Sequence, residues 1–217
     1  MLKQTDYSFL RRQMVETQLI RRGITDKKVI SAFNKVDRHE FVLPKDLNLA
    51  YQDSPLSIGE NQTISQPYMA ALMTQCLELK GDEKILEIGT GCGYQTAILA
   101  ELVKTVYSIE RIKTLSERAS KTLKKLGYSN IVISTGDGTL GWEEHAPYDG
   151  IIVTAAASKI PEIYVKQLKV PGKLVIPVGD RFSQALTVLE KNENQIETHS
   201  VCGCVFVPLI GKNGWGE

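Results

Sequence analysis

Residues 85–94, Ile-Leu-Glu-Ile-Gly-Thr-Gly-Cys-Gly-Tyr, carry an apolar run into three glycines at alternate positions: Gly89, Gly91 and Gly93. Without a Cβ, glycine lets the backbone turn sharply and lie close against a ligand. About 20 residues further on, Glu110 closes a second apolar run, and a carboxylate at that spacing can accept both hydroxyls of a ribose. A dinucleotide fingerprint G-x-G-x-x-G would need glycine at position 94, which is Tyr94. The pattern therefore favours a nucleoside without a pyrophosphate, and S-adenosylmethionine fits it better than a nicotinamide dinucleotide. A glycine triplet alone also arises in ordinary strand-to-helix turns. Its coupling to a glutamate at the end of the next strand is what makes it informative.

Two further segments fall at equivalent points of the chain. Gly136-Asp137-Gly138 follows a third apolar run. Asp137 there can receive an adenine amino group, and it is equally an ordinary turn residue. Thr154-Ala155-Ala156-Ala157 follows a fourth run, and its small side chains would leave space above a sheet. No Ser/His/Asp or Cys/His constellation stands out. The three histidines (39, 145, 199) are scattered, and Cys202-Gly-Cys204 lacks the spacing of a zinc ribbon. No metal is expected.

The elements that must position these residues follow from periodicity. Residues 1–80 read as mainly helical. Phe9, Leu10, Met14, Val15, Leu19 and Ile20 form a loose stripe that stops at Gly23. Thr25 is placed to cap a second helix bearing Val29, Ile30, Phe33 and Val36. Residues 39–64 look like loop, broken by Pro44, Pro55 and Gly59. Met69, Leu72, Met73, Cys76 and Leu77 have helical spacing, with Ser65 just ahead in the N-cap place. From residue 84 short strands alternate with helices: strands at 84–88, 105–109, 131–134, 149–153 and 173–178, and helices from 94, over 112–126 and near 160–169. Residues 185–190 and a run inside 196–207 follow with no intervening helix. This order predicts an α/β fold, a doubly wound and mostly parallel seven-stranded Rossmann-like sheet with an antiparallel C-terminal hairpin and an N-terminal helical extension. Ligands on such sheets bind at the carboxyl ends of the strands.

With 217 residues, 42% hydrophobic and 24% charged, the chain has ordinary globular usage. A formal net charge of +1 argues against a dedicated nucleic-acid or anionic-membrane binder. No apolar run reaches the ~18 residues of a membrane span, and the first residues lack a secretory h-region. The expectation is a cytoplasmic protein with reduced thiols, and a monomer. The paired arginines Arg11-Arg12 and Arg21-Arg22 read as solvated helix faces, and Met69 and Met73 as core.

The segments GENQTISQPYMAALMTQCLEL, KILEIGTGCGYQTAILA, VYSIER, GDG, APYDGIIVTAAA, GKLVIPVG and FVPLIG occur in this order. Together they resemble the protein-L-isoaspartate O-methyltransferases in their bacterial form, over roughly residues 8–212. The glycine loop alone would indicate only the wide class of S-adenosylmethionine-dependent methyltransferases; TISQPYM and FVPL carry the narrower likeness. The resemblance implies methyl transfer from S-adenosylmethionine to the free α-carboxylate of L-isoaspartyl residues in damaged proteins and peptides. S-adenosylhomocysteine is left as product. The ester then closes to a succinimide that hydrolyses partly to normal aspartyl. It also implies roles. Ser65 matches the active-site serine and binds substrate. Gly89, Gly91 and Gly93 match the loop beside the methionine moiety, Glu110 the ribose ligand, and Asp137 and Gly138 the adenine end. Gln62, Thr63, Ile64, Glu87, Thr90 and Arg111 join the cofactor set. Val207 and Leu209 lie in the segment whose backbone holds the substrate carboxylate. Tyr68 stands where some members have histidine, so no role carries over there, and Cys92 stands where serine would be familiar. The chain then reads as one methyltransferase domain over 1–217: a helical cover with the TISQ segment at 1–80, a cofactor-binding core at 81–190, and a substrate-side C-terminal segment at 191–217.

Such a reaction needs no strong base. An α-carboxyl with a reference pKa of about 3.3–3.7 is already ionised at neutral pH, and a sulfonium methyl is already activated. Positioning and exclusion of water remain. Ser65 would then orient the carboxylate as a neutral donor, and the same serine can cap the helix that follows. The competing readings are the same fold acting on a nucleic acid, small molecule or ribosomal peptide, a nicotinamide oxidoreductase, and a non-catalytic S-adenosylmethionine-binding module. Thr154-Ala155-Ala156 in place of an Asn/Asp-Pro-Pro-aromatic motif disfavours amino-methylation of nucleic acid, and Tyr94 disfavours the oxidoreductase.

Overall fold

The protein is described as a computed structural model covering residues 5–216. Its N-terminal part is helical in short pieces. Helix α1 (Tyr7–Met14) runs into a π-helical turn (Val15–Leu19) and a 3₁₀ turn (Ile20–Arg22), and ends at Gly23 with φ +94°. Helix α2 (Lys27–Lys35) is capped by Asp26, not Thr25: the Asp26 carboxylate accepts the N–H groups of Lys28 and Val29. An aspartate one residue closer simply reaches the orphan donors that a cap must satisfy.

The stretch 39–64, expected as loop, holds more structure. Two 3₁₀ segments (Arg38–Phe41 and Pro44–Leu49) lead to a hairpin of β1 (Leu56–Gly59) and β2 (Gln62–Ile64). Glu60 and Asn61 turn it, both with positive φ (+53° and +54°). Two consecutive left-handed residues are what a tight hairpin turn needs, although the usual signal is Asn-Gly. Helix α3 (Pro67–Cys76) follows, with proline in its first turn.

The remaining elements are β3 (Lys84–Ile88), α4 (Tyr94–Ala100), β4 (Thr105–Glu110), α5 (Lys113–Lys125), β5 (Ile131–Thr135), β6 (Tyr148–Val153), α6 (Glu162–Gln167), β7 (Leu168–Gly179), β8 (Gln184–Lys191) and β9 (Ile196–Cys204). They form one seven-stranded sheet in the order β5-β4-β3-β6-β7-β8-β9. The first five strands are parallel and the last two antiparallel, as the alternation of elements predicted. The chain winds outward from β3 in both directions, so the topological switch lies beyond Ile88 and Val153.

Alternate residues feed two cores. Ile85, Ile152 and Val175 join the N-terminal helices, α4 and α5 in one cluster. Leu86, Ile88, Val153 and Ile176 join Tyr148, Tyr164 and Leu168 in the other. The N-terminal segment is thus continuous with the sheet's core, and it brings residues 55–66 over the carboxyl edge. No helix among the described residues is long and apolar enough to cross a membrane.

Candidate active site

The glycine loop is held from beneath. Gly89 N–H donates to Ile109 O at 2.8 Å, and Gly93 N–H to Thr90 O at 2.8 Å. Gly89 has φ +98°, and a Cβ there would strike the Thr154 hydroxyl. That hydroxyl donates to Ile88 O and Gly89 O at 3.0 and 2.7 Å, tying the end of β6 to the loop. Gly93 serves packing rather than a ligand: its Cβ would crowd Leu123 and Ala119 of α5.

Glu110 is 5% exposed at the end of β4. One of its oxygens accepts Gly91 N–H at 2.8 Å and the other Ile112 N–H at 2.9 Å. A carboxylate has about four acceptor directions, so each oxygen retains capacity toward the cavity in front of it. That cavity encloses about 550 Å³ of space, open mouth included. It is lined by Gln62, Thr63, Gly89, Gly91, Glu110, Arg111 and Gly138, together with Ile88, Ile109, Val207 and Leu209. Gly138 admits no side chain, since a Cβ would lie 2.7 Å from Ile88 Cγ2. A cavity with both polar and apolar walls, next to a carboxylate that keeps acceptor capacity, fits a nucleoside.

Two more cavities adjoin the first, and Thr63 and Thr154 line all three. The second is closed by Ile64, Ser65, Thr90, Cys92, Tyr94 and Gln95. The third opens outward between Pro55, Ser65, Gln66 and Met69 on one side and Gly203, Cys204, Val205, Phe206 and Val207 on the other. No lysine, arginine, aspartate or glutamate lines this outer groove. Ser65 sits where the second and third cavities meet. Among the described residues its hydroxyl has no hydrogen-bond partner, and it does not cap α3; the N-cap is Gln66, which makes no side-chain cap bond. The capping role expected for Ser65 therefore falls away, because Pro67 already occupies the first helical position and shifts the cap by one residue.

Arg38 is the residue that sequence reasoning passed over. It is fully buried, and it donates from Nε to Ala50 O and from Nη2 to Ser65 O, both at 2.8 Å. Its guanidinium lies 4.8 Å from the centre of the Tyr94 ring. It thus pins the Ser65 backbone to the core. A lone arginine in a polar run, 27 positions from the serine it holds, leaves no local signal.

Two residues placed in the cofactor set are engaged elsewhere. Glu87 is wholly buried on the helix-covered face of β3 and does not line the cavity. Its Oε2 accepts Thr96 and Ser108 hydroxyls, both at 2.6 Å. Burial pushes its pKa up to about 8, against the opposing pull of those two hydrogen bonds. Asp137 likewise does not line the cavity. One oxygen accepts from Thr139 N–H and Oγ1, and the other accepts Lys212 N–H at 2.9 Å, so the residue fastens the C-terminal turn that follows Leu209 and Ile210 of the cavity wall. Burial raises its pKa, but the Lys212 and Thr139 hydrogen bonds outweigh that and leave it lowered. Of the C-terminal pair, Val207 lines both the first cavity and the groove. Leu209 lines only the first cavity, and its N–H is already given to Ala156 O at 2.8 Å, which removes it as a carboxylate donor.

The family model for protein-L-isoaspartate(D-aspartate) O-methyltransferase matches residues 10–214. The chain belongs to the protein-L-isoaspartate O-methyltransferase family. It is 53% identical over 212 residues to a protein-L-isoaspartate O-methyltransferase of Geobacter metallireducens, covering 97% of this chain and 98% of that one. It is 56% identical over 215 residues to one of Petrotoga mobilis, covering 97% and 100%. A solved protein-L-isoaspartate O-methyltransferase structure superposes with a TM-score of 0.82 at 29% identity, over 94% of this chain and 66% of that chain. A putative protein-L-isoaspartate O-methyltransferase from Plasmodium falciparum, solved with S-adenosyl-L-homocysteine, superposes with a TM-score of 0.80 at 28% identity, over 95% and 99%. Family membership agrees with a cavity at Glu110 that shares Thr63 and Thr154 with an uncharged groove at Ser65.

Proposed function

We infer that this chain is a protein-repair enzyme that methylates the free α-carboxylate of L-isoaspartyl residues in damaged proteins and peptides, with S-adenosylmethionine as donor and S-adenosylhomocysteine as product. When bound, the cofactor supplies an activated methyl group on a sulfonium. The observation that carries the reading is the continuity of the three cavities through Thr63 and Thr154. Nucleoside and acceptor enter from different sides and meet at one wall.

Glu110 takes the ribose hydroxyls on the faces its two backbone donors leave open. Arg111, Gln62 and Gly138 close the same slot, and Thr90 and Ile64 border the inner compartment. The Ser65 hydroxyl donates to the incoming carboxylate, held in place by the bond from Arg38 to its carbonyl. Val207 presents the opposite wall. An arginine clamp on the acceptor would stabilise the ground-state carboxylate and blunt its attack, so neutral donors serve better. The uncharged groove agrees with this.

The test is methyl transfer from labelled S-adenosylmethionine to two synthetic peptides that differ only in an L-isoaspartyl or L-aspartyl residue. Base-labile label on the isoaspartyl peptide alone is expected. Label on neither, with the cofactor still bound, would overturn the acceptor assignment.

A further inference from the structure

Gly203 has no reason within the protein to be glycine. It lies in β9, where glycine contributes no packing and costs backbone entropy. Its φ is outside the left-handed region, and a Cβ built on it would meet nothing within 4 Å. Gly89, Gly138 and Gly150 differ, because a side chain on any of them would collide with a neighbour. Nor does Gly203 make a bulge. The register slips at Val201, between the pairs Leu186↔Cys202 and Thr187↔Ser200, while Gly203 pairs regularly with Ala185. A glycine of this kind inside a strand marks a place where a ligand or another backbone comes close.

Its surroundings identify what comes close. β9 is the outer strand of the sheet, with β8 on one side and no strand on the other. Residues 202–205 carry none of the lysines or prolines that commonly block a free edge. Gly203 and Cys204 line the outer groove together with Ser65, so the edge runs into the acceptor site. Val205, 75% exposed, continues it. Beyond Val205 the chain is fixed: Phe206 N–H donates to Gln184 Oε1 at 2.8 Å, and Gln184 Nε2 donates to Asp180 O at 2.6 Å. The edge is therefore rigid where it meets the groove.

We propose that the polypeptide on one side of the acceptor residue lies extended along Cys202–Val205, pairing main chain with the free edge of β9, and that Gly203 leaves the room it needs. The proposal rests on the isoaspartyl reading of the same groove. Strand addition draws affinity from backbone hydrogen bonds and leaves side chains largely unread. That suits a substrate defined by a damaged linkage and not by its sequence.

Two measurements test it. In the first, wild type and Gly203→Val are compared on an isoaspartyl tripeptide and an isoaspartyl octapeptide. For wild type, lengthening the acceptor lowers KM by about tenfold, or ~1.4 kcal/mol; for Gly203→Val the gain shrinks to less than about threefold. Melting temperature and S-adenosylhomocysteine affinity confirm that the variant is folded. In the second, wild type alone is given octapeptides carrying one N-methylated amide at successive positions. Loss at alternate positions on one side of the isoaspartyl residue supports strand pairing. Uniform tolerance of N-methylation, or an undiminished length gain in Gly203→Val, overturns the proposal. Failure of wild type to label either isoaspartyl peptide would instead overturn the reading of the groove, and the docking surface with it.

Discussion

Around Glu110 the ends of two adjacent strands and their loops, residues 88–111, form one wall of the cavity, and residues 62–63, 138, 154–155 and 207–210 close the rest. Around Ser65 it comes from residues 55–69, from Thr154 and from residues 203–207, three segments that meet only in the folded chain. The first region is built from backbone: glycines that admit no side chain, and one carboxylate fastened by two main-chain donors. The second is built from uncharged side chains held at a distance, with Arg38 gripping the carbonyl of Ser65 and Gln184 gripping the N–H of Phe206. A nucleoside has one fixed shape and rewards a rigid mould. An acceptor carried on many different polypeptides needs a groove that orients one carboxylate and reads little else.

The contrast can be broken first at Glu110. Glu110→Ala strips two loop amides of their acceptor and removes the proposed ribose contacts. Hydrogen bonds to a charged group are worth about 1.5–3 kcal/mol each, so S-adenosylhomocysteine affinity falls by roughly 10²–10³-fold in calorimetric titration. Retained affinity would mean that the nucleoside lies elsewhere. Ser65→Ala probes the other region. Loss of one neutral donor to a carboxylate lowers kcat/KM for the isoaspartyl peptide by about 10–100-fold. Cofactor affinity stays unchanged, and stability shifts by less than the ~1 kcal/mol of a lost cap. Parallel loss of activity and stability would restore a structural role to the serine.

Asp137→Asn tests whether the C-terminal turn belongs to the cofactor region. It weakens the bonds to Thr139 and Lys212, and a loss of about 1–2 kcal/mol in denaturant unfolding is expected. The folded-state pKa of Asp137 is lowered, so its contribution is present above the unfolded value near 3.8 and disappears as pH falls through the folded one. The variant lacks that acid-side loss. Glu87 gives a pH-dependent test away from both cavities. Its folded pKa is raised, so its contribution is complete below about 4.5 and is lost as pH rises through about 8. Melting temperatures of Glu87→Gln at pH 5, 6.5 and 8.5 should fall less with pH than those of wild type. An identical slope would show that the carboxyl is not held neutral.

The glycine loop, Glu110 and the sheet order were legible because each rests on short-range rules. Strands and helices alternate by periodicity, and a loop ending one strand faces the end of its neighbour. Ser65 and Val207 were legible only through family resemblance, since nothing in their spacing brings them together. The hairpin at residues 56–64 was missed because Glu60-Asn61 is an unusual pair for a two-residue turn, stabilised in part by the Thr114 hydroxyl bonding Glu60 from another element. Glu87 and Asp137 sit in motif positions that suggest ligand contact. Their partners, Thr96 and Ser108 in one case and Lys212 in the other, are set by packing.

The sequence by itself determined the parallel sheet, the switch point beside β3 and the glycine loop that faces Glu110, because hydrophobic period, glycine and one carboxylate act within a strand and its neighbour. Only the tertiary structure decided which polar groups face the cavity and which are consumed beneath it, where the buried Arg38 holds Ser65, and that Gly203 stands at a free strand edge leading into the groove. Those outcomes depend on segments far apart in the chain: Lys212 N–H reaches Asp137 across 75 positions, and Ser65 and Gly203 line one groove. At such separations the partner is chosen by the packing of whole elements, not by local pattern.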